Sequence, residues 1–165
     1  MNAPDAIEFE LDGAPVRALP GESLWQAARR HGVDIPHLCH TDGLRPDGNC
    51  RACVVEIDGE RVLAPSCCRA PAAGMKVHAR SERALAAQRM VLELLSADAP
   101  QGGHREDSEL RRWAQRLDVG ASRFAAREQT APDLSHPAIA VQLDACIQCG
   151  RCVRACREEQ VNDVI

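Results

Sequence analysis

An α+β architecture follows from three features of the 165-residue chain. Alternating segments with hairpin turns surround one capped helix over residues 1–80. Helical periodicity takes over from Ser81. Nine cysteines fall into two groups, with none between residues 69 and 145.

The first segment, Ile7-Glu-Phe-Glu-Leu11, alternates at period two. Asp12-Gly13 is a hairpin signal ahead of Val16-Arg-Ala-Leu19. Ser23-Leu-Trp-Gln26 has the form of a capping box, with the amide three residues after the cap. A helix starting there buries Leu24, Ala27 and Ala28, and Gly32 suits its left-handed exit. Val54-Val-Glu-Ile57, the turn Asp58-Gly59 and Arg61-Val-Leu63 read as a second hairpin. Met75-Lys-Val-His78 closes the set. Hairpin, helix, hairpin and last strand is the order of a small β-grasp sheet, with one helix across the strands.

From Ser81, a capping residue, the stripe Ala84, Leu85, Val91, Leu92 and Leu95 predicts a helix ending before Pro100. Asp98 to Asp107, with Gly102-Gly103, reads as a linker. A second helix carries Leu110, Trp113, Ala114 and Leu117 on one face. Residues 119–137 read as a connecting arm, and a new unit begins near Ala138.

Composition narrows the function. Acidic side chains outnumber basic ones by 24 to 20, a net charge of −4. That balance argues against a nucleic-acid binder, which needs a basic surface to neutralise phosphate. No apolar run approaches membrane-spanning length. Met1-Asn-Ala-Pro-Asp-Ala6 lacks the basic and apolar stretches of a secretory signal. The expectation is a cytoplasmic chain whose cysteines bind metal and do not form disulfides. Phe9, Trp25, Trp113 and Phe124 are the only aromatics, so a modest core needs a second source of cohesion.

In the first group, Cys39, Cys50, Cys53 and Cys67 are separated by ten, two and thirteen residues. Three of them share a loop rich in turn residues, Asp42-Gly43 and Pro46-Asp47-Gly48-Asn49. A [2Fe–2S] cluster requires four converging thiolates, and its negative sulfurs require inward N–H donors. Gly43 and Gly48 can take positive φ and let the chain approach closely. Arg51 adds positive charge nearby. A structural zinc site, acting as an interaction scaffold, would want two Cys-x2-Cys knuckles, and this half has only Cys50-Arg-Ala-Cys53. His37 and His40 flank Cys39, but a Rieske site would need a second His paired with a second Cys. The histidines therefore read as surface residues or neighbours of the ligands. Either Cys67 or Cys68 can supply the fourth thiolate, but not both, because consecutive side chains point apart.

In the second group, Cys146-Ile-Gln-Cys149-Gly-Arg-Cys152-Val-Arg-Ala-Cys156 is the Cys-x2-Cys-x2-Cys-x3-Cys run of bacterial-type [4Fe–4S] ferredoxins. Cys146, Cys149 and Cys152 would hold one cubane, with Gly150 easing the turn. Cys156, one helical turn on, would serve a second [4Fe–4S] cluster, the rest of whose site is not in the chain. Arg157 stands where a proline often follows. The missing ligands lead us to expect that the chain is truncated, the N-terminal part of a longer polypeptide.

Ile35-Pro-His-Leu-Cys39, Cys50-Arg-Ala-Cys53 and Ala64-Pro-Ser-Cys67 before Gly74-Met75 resemble the N-terminal ferredoxin-like domain of the complex I large iron–sulfur subunit group. NAD-dependent formate dehydrogenase alpha subunits and hydrogenase diaphorase subunits share that domain. The resemblance selects Cys67 as ligand and leaves Cys68 as a small buried neighbour. Complex I and diaphorase members carry a further [4Fe–4S] site bound by one His and three Cys. Here Ala99-Pro-Gln-Gly-Gly-His104-Arg-Glu-Asp-Ser-Glu-Leu110 holds no cysteine, so His104 reads as an exposed loop residue. Asp133-Leu-Ser-His-Pro-Ala-Ile139, with the run from Leu143 to Cys156, is most similar to the formate dehydrogenase alpha subunits.

The implied organisation is a β-grasp [2Fe–2S] ferredoxin-like domain over 1–80, a helical linker region over 81–137, and the first half of a [4Fe–4S] module over 138–165. The implied role is an electron wire between a molybdenum or tungsten bis-pterin site in a C-terminal domain of the same polypeptide and a flavin/NAD-binding partner subunit holding FMN and NAD. Formate oxidation coupled to NAD reduction belongs to the whole complex. A diaphorase-type wire of a hydrogenase or complex I-like enzyme is the alternative. No residue reads as a catalytic acid, base or nucleophile, and neither Gly-x-Gly-x-x-Gly nor a P-loop occurs.

Overall fold

The computed structural model describes residues 6–99, 108–144 and 146–162. Backbone contacts divide the chain into Met1–Gln88 with Gly150–Ile165, and Arg89–Cys149.

The first unit holds a five-stranded sheet. Strands β1 (Ile7–Leu11) and β2 (Ala14–Ala18) form the first hairpin, and helix α1 (Leu24–Arg30) follows. Strands β3 (Val54–Ile57), β4 (Ala64–Pro65) and β5 (Lys76–His78) complete the sheet in the order β2-β1-β5-β3-β4. β1 runs antiparallel to β2 and parallel to β5, while β3 is antiparallel to both neighbours. This is the β-grasp arrangement expected from the element order.

Local chemistry explains the pieces. Along β1 the alternation sends Phe9 and Leu11 inward. Asp12 and Gly13 both take positive φ, as a two-residue hairpin turn of the primed kind requires. The Asp12 carboxylate then accepts the Ala79 and Arg80 N–H groups, at 2.7 and 3.2 Å, fastening the end of β5. At α1 the capping box is complete: Gln26 N–H donates to Ser23 Oγ and Ser23 N–H donates to Gln26 Oε1. Leu24, Trp25, Ala27 and Ala28 pack into the core with Phe9, Leu11, Val16, Val55, Ile57 and Val77. Trp25 thus joins the three residues that helical spacing identifies.

The second hairpin differs from expectation. Arg61-Val-Leu63 is not a strand; β3 pairs with Ala64–Pro65, in the register Val54↔Pro65 and Val55↔Ala64. Residues 58–63 form a longer connection, with Val62 well exposed. The register carries a consequence for sulfur. Pairing at Pro65 lets Ser66 N–H and Ser66 Oγ both donate to Cys53 O, at 3.1 and 2.7 Å. These two hydrogen bonds from Ser66 set Cys67 beside Cys53.

Helix α2 spans Glu82–Asp98 and is capped by Ser81, whose Oγ accepts from Ala84 N–H at 3.1 Å. Its buried stripe includes a polar residue that apolar periodicity does not reveal. Gln88 is only 1% exposed, and its amide donates to Val54 O and Ala79 O at 2.9 and 3.3 Å. One side chain thus serves two carbonyls of the sheet unit.

In the second unit, helix α3 (Glu109–Arg116) is capped by Ser108 and buries Leu110 and Trp113. Arg123 grips Glu93 through a two-pronged ion pair at 2.8 Å, and Arg89 donates to Leu117 O at 3.0 Å. Strands β6 (Asp133–His136) and β7 (Ile139–Val141) form a hairpin around Pro137-Ala138. The hairpin spans the expected start of a new unit near Ala138, and both of its strands are exposed throughout, so no one-sided burial pattern marks them. The C-terminal part of the first unit contains a short helix α4 (Arg151–Arg154) that widens into a π-turn over Ala155–Glu159. His104 lies outside the described residues. Among the described residues, no helix is long and apolar enough to cross a membrane.

Replacing Gln88 with Leu removes both donors while keeping an apolar group of similar bulk. We expect a loss of about 1–3 kcal/mol in chemical denaturation, the usual cost of stranding buried carbonyls.

Candidate metal centre

The chain between α1 and β3 forms few regular elements and carries Cys39, Cys50 and Cys53. Cys39, Cys53 and Cys67 are each at most 1% exposed, and Cys50 is half-buried. The four form two pairs. Cys39 N–H donates to Cys50 Sγ and Cys50 N–H donates to Cys39 Sγ, both at 3.4 Å. Ala52 N–H adds a further donor to Cys50 Sγ at 3.5 Å. Cys53 Sγ and Cys67 Sγ lie 3.4 Å apart as free thiols.

Each pair divides its acidity unevenly. The Cys50 thiol hydrogen bond draws Cys39 down to about 5, while Cys50 is pushed up by sharing a proton with Cys39 and by burial. The Cys67 thiol likewise lowers Cys53 to about 7, and Cys67 rises in turn. One proton is therefore held tightly within each pair, and metal binding must displace it.

The donor set fits a two-iron cluster. It is all sulfur, arranged two and two, as two irons each taking a pair of thiolates require. Backbone N–H groups already point at the sulfurs, and buried negative charge needs such donors. Cys39, Cys50, Cys53 and Cys67 are the residues that could hold it.

Gly48 takes φ +63° and is buried, and a Cβ there would sit 3.0 Å from Cys68 Sγ. Gly43 takes φ +86° in open space, so only its conformation matters. Arg51 also adopts positive φ and is exposed. Cys68 corrects the expectation of a small buried neighbour: it is exposed. Cys67 and Cys68 lie in a turn closed by Cys68 N–H and Arg69 N–H on Pro65 O, which sends Cys67 inward and Cys68 outward.

Two residues shape the site that cysteine spacing could not reveal. Trp25 donates from its indole N–H to Ile35 O at 3.2 Å and stands edge-on to His37 and His40. His40 is 2% exposed, so it is a core residue and not a surface one. Burial pushes its pKa down, and neither ring nitrogen has a hydrogen-bond partner among the described residues.

The C-terminal cysteines fall in both units. Cys146 and Cys149 are half-buried in the second; Cys152, exposed, and Cys156, half-buried, are in the first. Gly150 caps α4 at φ +71°, the turn expected there. Cys156 lies in the π-turn, where Gln160 N–H reaches back to Ala155 O. On the same segment Arg151 donates to His40 O at 2.7 Å, and Arg154 donates to Cys39 O and Arg45 O. Nothing in the sequence marks these bonds, since most arginines are exposed.

Comparison with known proteins agrees with this chemistry. Residues 4–82 match the family model of the 2Fe-2S iron-sulfur cluster binding domain. A crystal structure of NAD+-reducing [NiFe]-hydrogenase in the H2-reduced state superposes with a TM-score of 0.84 at 33% identity, over 94% of this chain and 68% of that one. The G subunit of NADH-quinone oxidoreductase from Rickettsia felis is 31% identical over 156 residues, 90% of this chain. The chain is thus similar to that subunit and to the hydrogenase. Residues 4–82 are the [2Fe–2S] cluster-binding domain of an iron–sulfur electron-transfer segment. The mitochondrial NADH-ubiquinone oxidoreductase 78 kDa subunit of Candida albicans is 34% identical over 158 residues. The chain spans 23% of the Rickettsia protein and 22% of the Candida one, under a quarter of each.

Gly48→Ala combines a left-handed φ with a close approach, so we expect a loss of about 1–2 kcal/mol in thermal or chemical unfolding. Adding Cys68→Ala should relieve the contact but not the backbone cost. Full recovery in the double variant would contradict that division.

Proposed function

We propose that the chain is the N-terminal electron relay of an NAD-dependent formate dehydrogenase alpha subunit. Cys39, Cys50, Cys53 and Cys67 hold a [2Fe–2S] cluster in this reading. Cys146, Cys149 and Cys152 hold a [4Fe–4S] cluster, and Cys156 serves a second one completed elsewhere. The working modules are residues 1–80, 81–137 and 138–165. A C-terminal domain supplies the molybdenum or tungsten bis-pterin, and a flavin/NAD-binding partner supplies FMN and NAD, in a cytoplasmic complex.

The observation that carries the relay is the pairing of four thiols, three of them sealed from water, with N–H donors already aimed at two sulfurs. When bound, the clusters take up and pass on single electrons. The chain's part is to hold them. Cys53 and Cys67 exclude water on one side, the Cys39, Cys50 and Ala52 N–H groups offset sulfur charge on the other, and Trp25 props the loop. What supports formate as the donor is the cysteine-free stretch from 69 to 145, where complex I and diaphorase members, by the resemblance, carry another cluster.

A diaphorase-type relay of a hydrogenase or complex I-like enzyme accounts for the fold and the first ligand set comparably well. Its support is the likeness to the hydrogenase structure over 94% of this chain. Electron donors separate the two. Anaerobically purified complex should show its cluster signals reduced by formate, with molybdenum or tungsten present; reduction by H2 and not by formate would establish the alternative. For the fourth ligand, Cys67→Ser should abolish the [2Fe–2S] paramagnetic signal while Cys68→Ser retains it. The reverse pattern would move the ligand to Cys68.

A further inference from the structure

Arg154 lies midway between Cys152 and Cys156, yet its side chain belongs to the other cysteine group. It is 6% exposed and its two terminal nitrogens donate to Cys39 O and Arg45 O, the two ends of a short stretch of the cysteine loop. No carboxylate pairs with it among the described residues. Glu158, on the same segment, is taken by Arg45 at 3.0 Å, and Asp42 is taken by Arg29 at 2.9 Å. Arg151 brings a further cation onto His40 O.

A guanidinium cannot shed its proton, so burial leaves it charged. A buried cation without an anion is costly, and carbonyl dipoles offset only part of that cost. The surroundings of Cys39 are thus built with positive charge in excess. A four-thiolate iron–sulfur centre is anionic, and more so after taking an electron.

We infer that Arg154 is the counter-charge of the [2Fe–2S] centre, a positioning residue that clamps the Cys39 loop and favours the reduced cluster. This rests on the ligand set proposed above. A fixed cation beside the centre stabilises the state with the extra negative charge, which raises the reduction potential. The same side chain makes the stretch carrying Cys152 and Cys156 a structural part of the [2Fe–2S] unit. Its fork bonds two carbonyls at once, a task a lysine cannot repeat, although lysine keeps the charge.

The test is an anaerobic redox titration of the cluster-loaded protein, followed by electron paramagnetic resonance, with iron and labile sulfide measured per chain. In Arg154→Met the [2Fe–2S] reduction constant should fall at least tenfold, a potential about 59 mV lower for one electron. In Arg154→Lys it should fall less than half as far. Arg157→Gln, which removes an exposed charge from the same segment, should change it less than threefold. Should Arg154→Met lose the cluster while Arg154→Lys retains it, the need for charge is equally upheld. The inference is overturned if Arg154→Met stays within threefold of the parent, if Lys and Met fall equally, or if both lose the cluster, which would make the residue a strut alone. A parent protein without a [2Fe–2S] signal would instead refute the ligand set itself.

Discussion

Burying sulfur beside sulfur is the constraint that organises the first unit. Two thiols 3.4 Å apart with almost no solvent contact, as at Cys53 and Cys67, have no stabilising role in an ordinary core. They share protons, resist simultaneous ionisation and occupy space an aliphatic side chain would fill better. The surrounding backbone nonetheless holds them there. The β3–β4 register delivers Ser66 to Cys53 O, and Gly48 passes close to Cys68 in a conformation few other residues adopt. The α1 capping box fixes the helix from which Trp25 reaches the loop. Each device makes sense when the thiols are ligands.

Charge is arranged on the same plan. The chain is acidic overall, at −4, yet Arg151 and Arg154 both donate to carbonyls of the loop between Cys39 and Arg45. Net charge reports on solubility and partners, whereas the local excess of cations reports on what the loop must hold. Burial beside these cations pushes the His40 pKa down, away from the charged form. A core with only Phe9 and Trp25 as aromatics gains cohesion if ligation and folding are linked, as in small metal-dependent domains.

Much of this is legible in sequence where a single local rule acts. The β1–β2 hairpin follows from alternation plus Asp12-Gly13, and α1 follows from its cap and its exit at Gly32. Cysteine spacing brings together the residues that the fold pairs in space. Features decided by tertiary context are not legible. β4 begins later than its apolar residues suggest, because Ser66 must meet Cys53. Gln88 sits in an apolar stripe because two carbonyls need a donor. The β6–β7 hairpin lacks a buried face, Cys68 turns outward with its loop, and Arg154 is buried by contacts more than 100 residues away in sequence.

The proposed relay requires a [2Fe–2S] site in the first cysteine group and a [4Fe–4S] site in the second. Iron, inorganic sulfide and zinc, measured together on anaerobically purified protein, test it most directly. Iron and sulfide are expected in equal amounts, sufficient for one [2Fe–2S] and one [4Fe–4S] cluster, with the corresponding signals on reduction. A colourless protein holding stoichiometric zinc and no inorganic sulfide would contradict the claim.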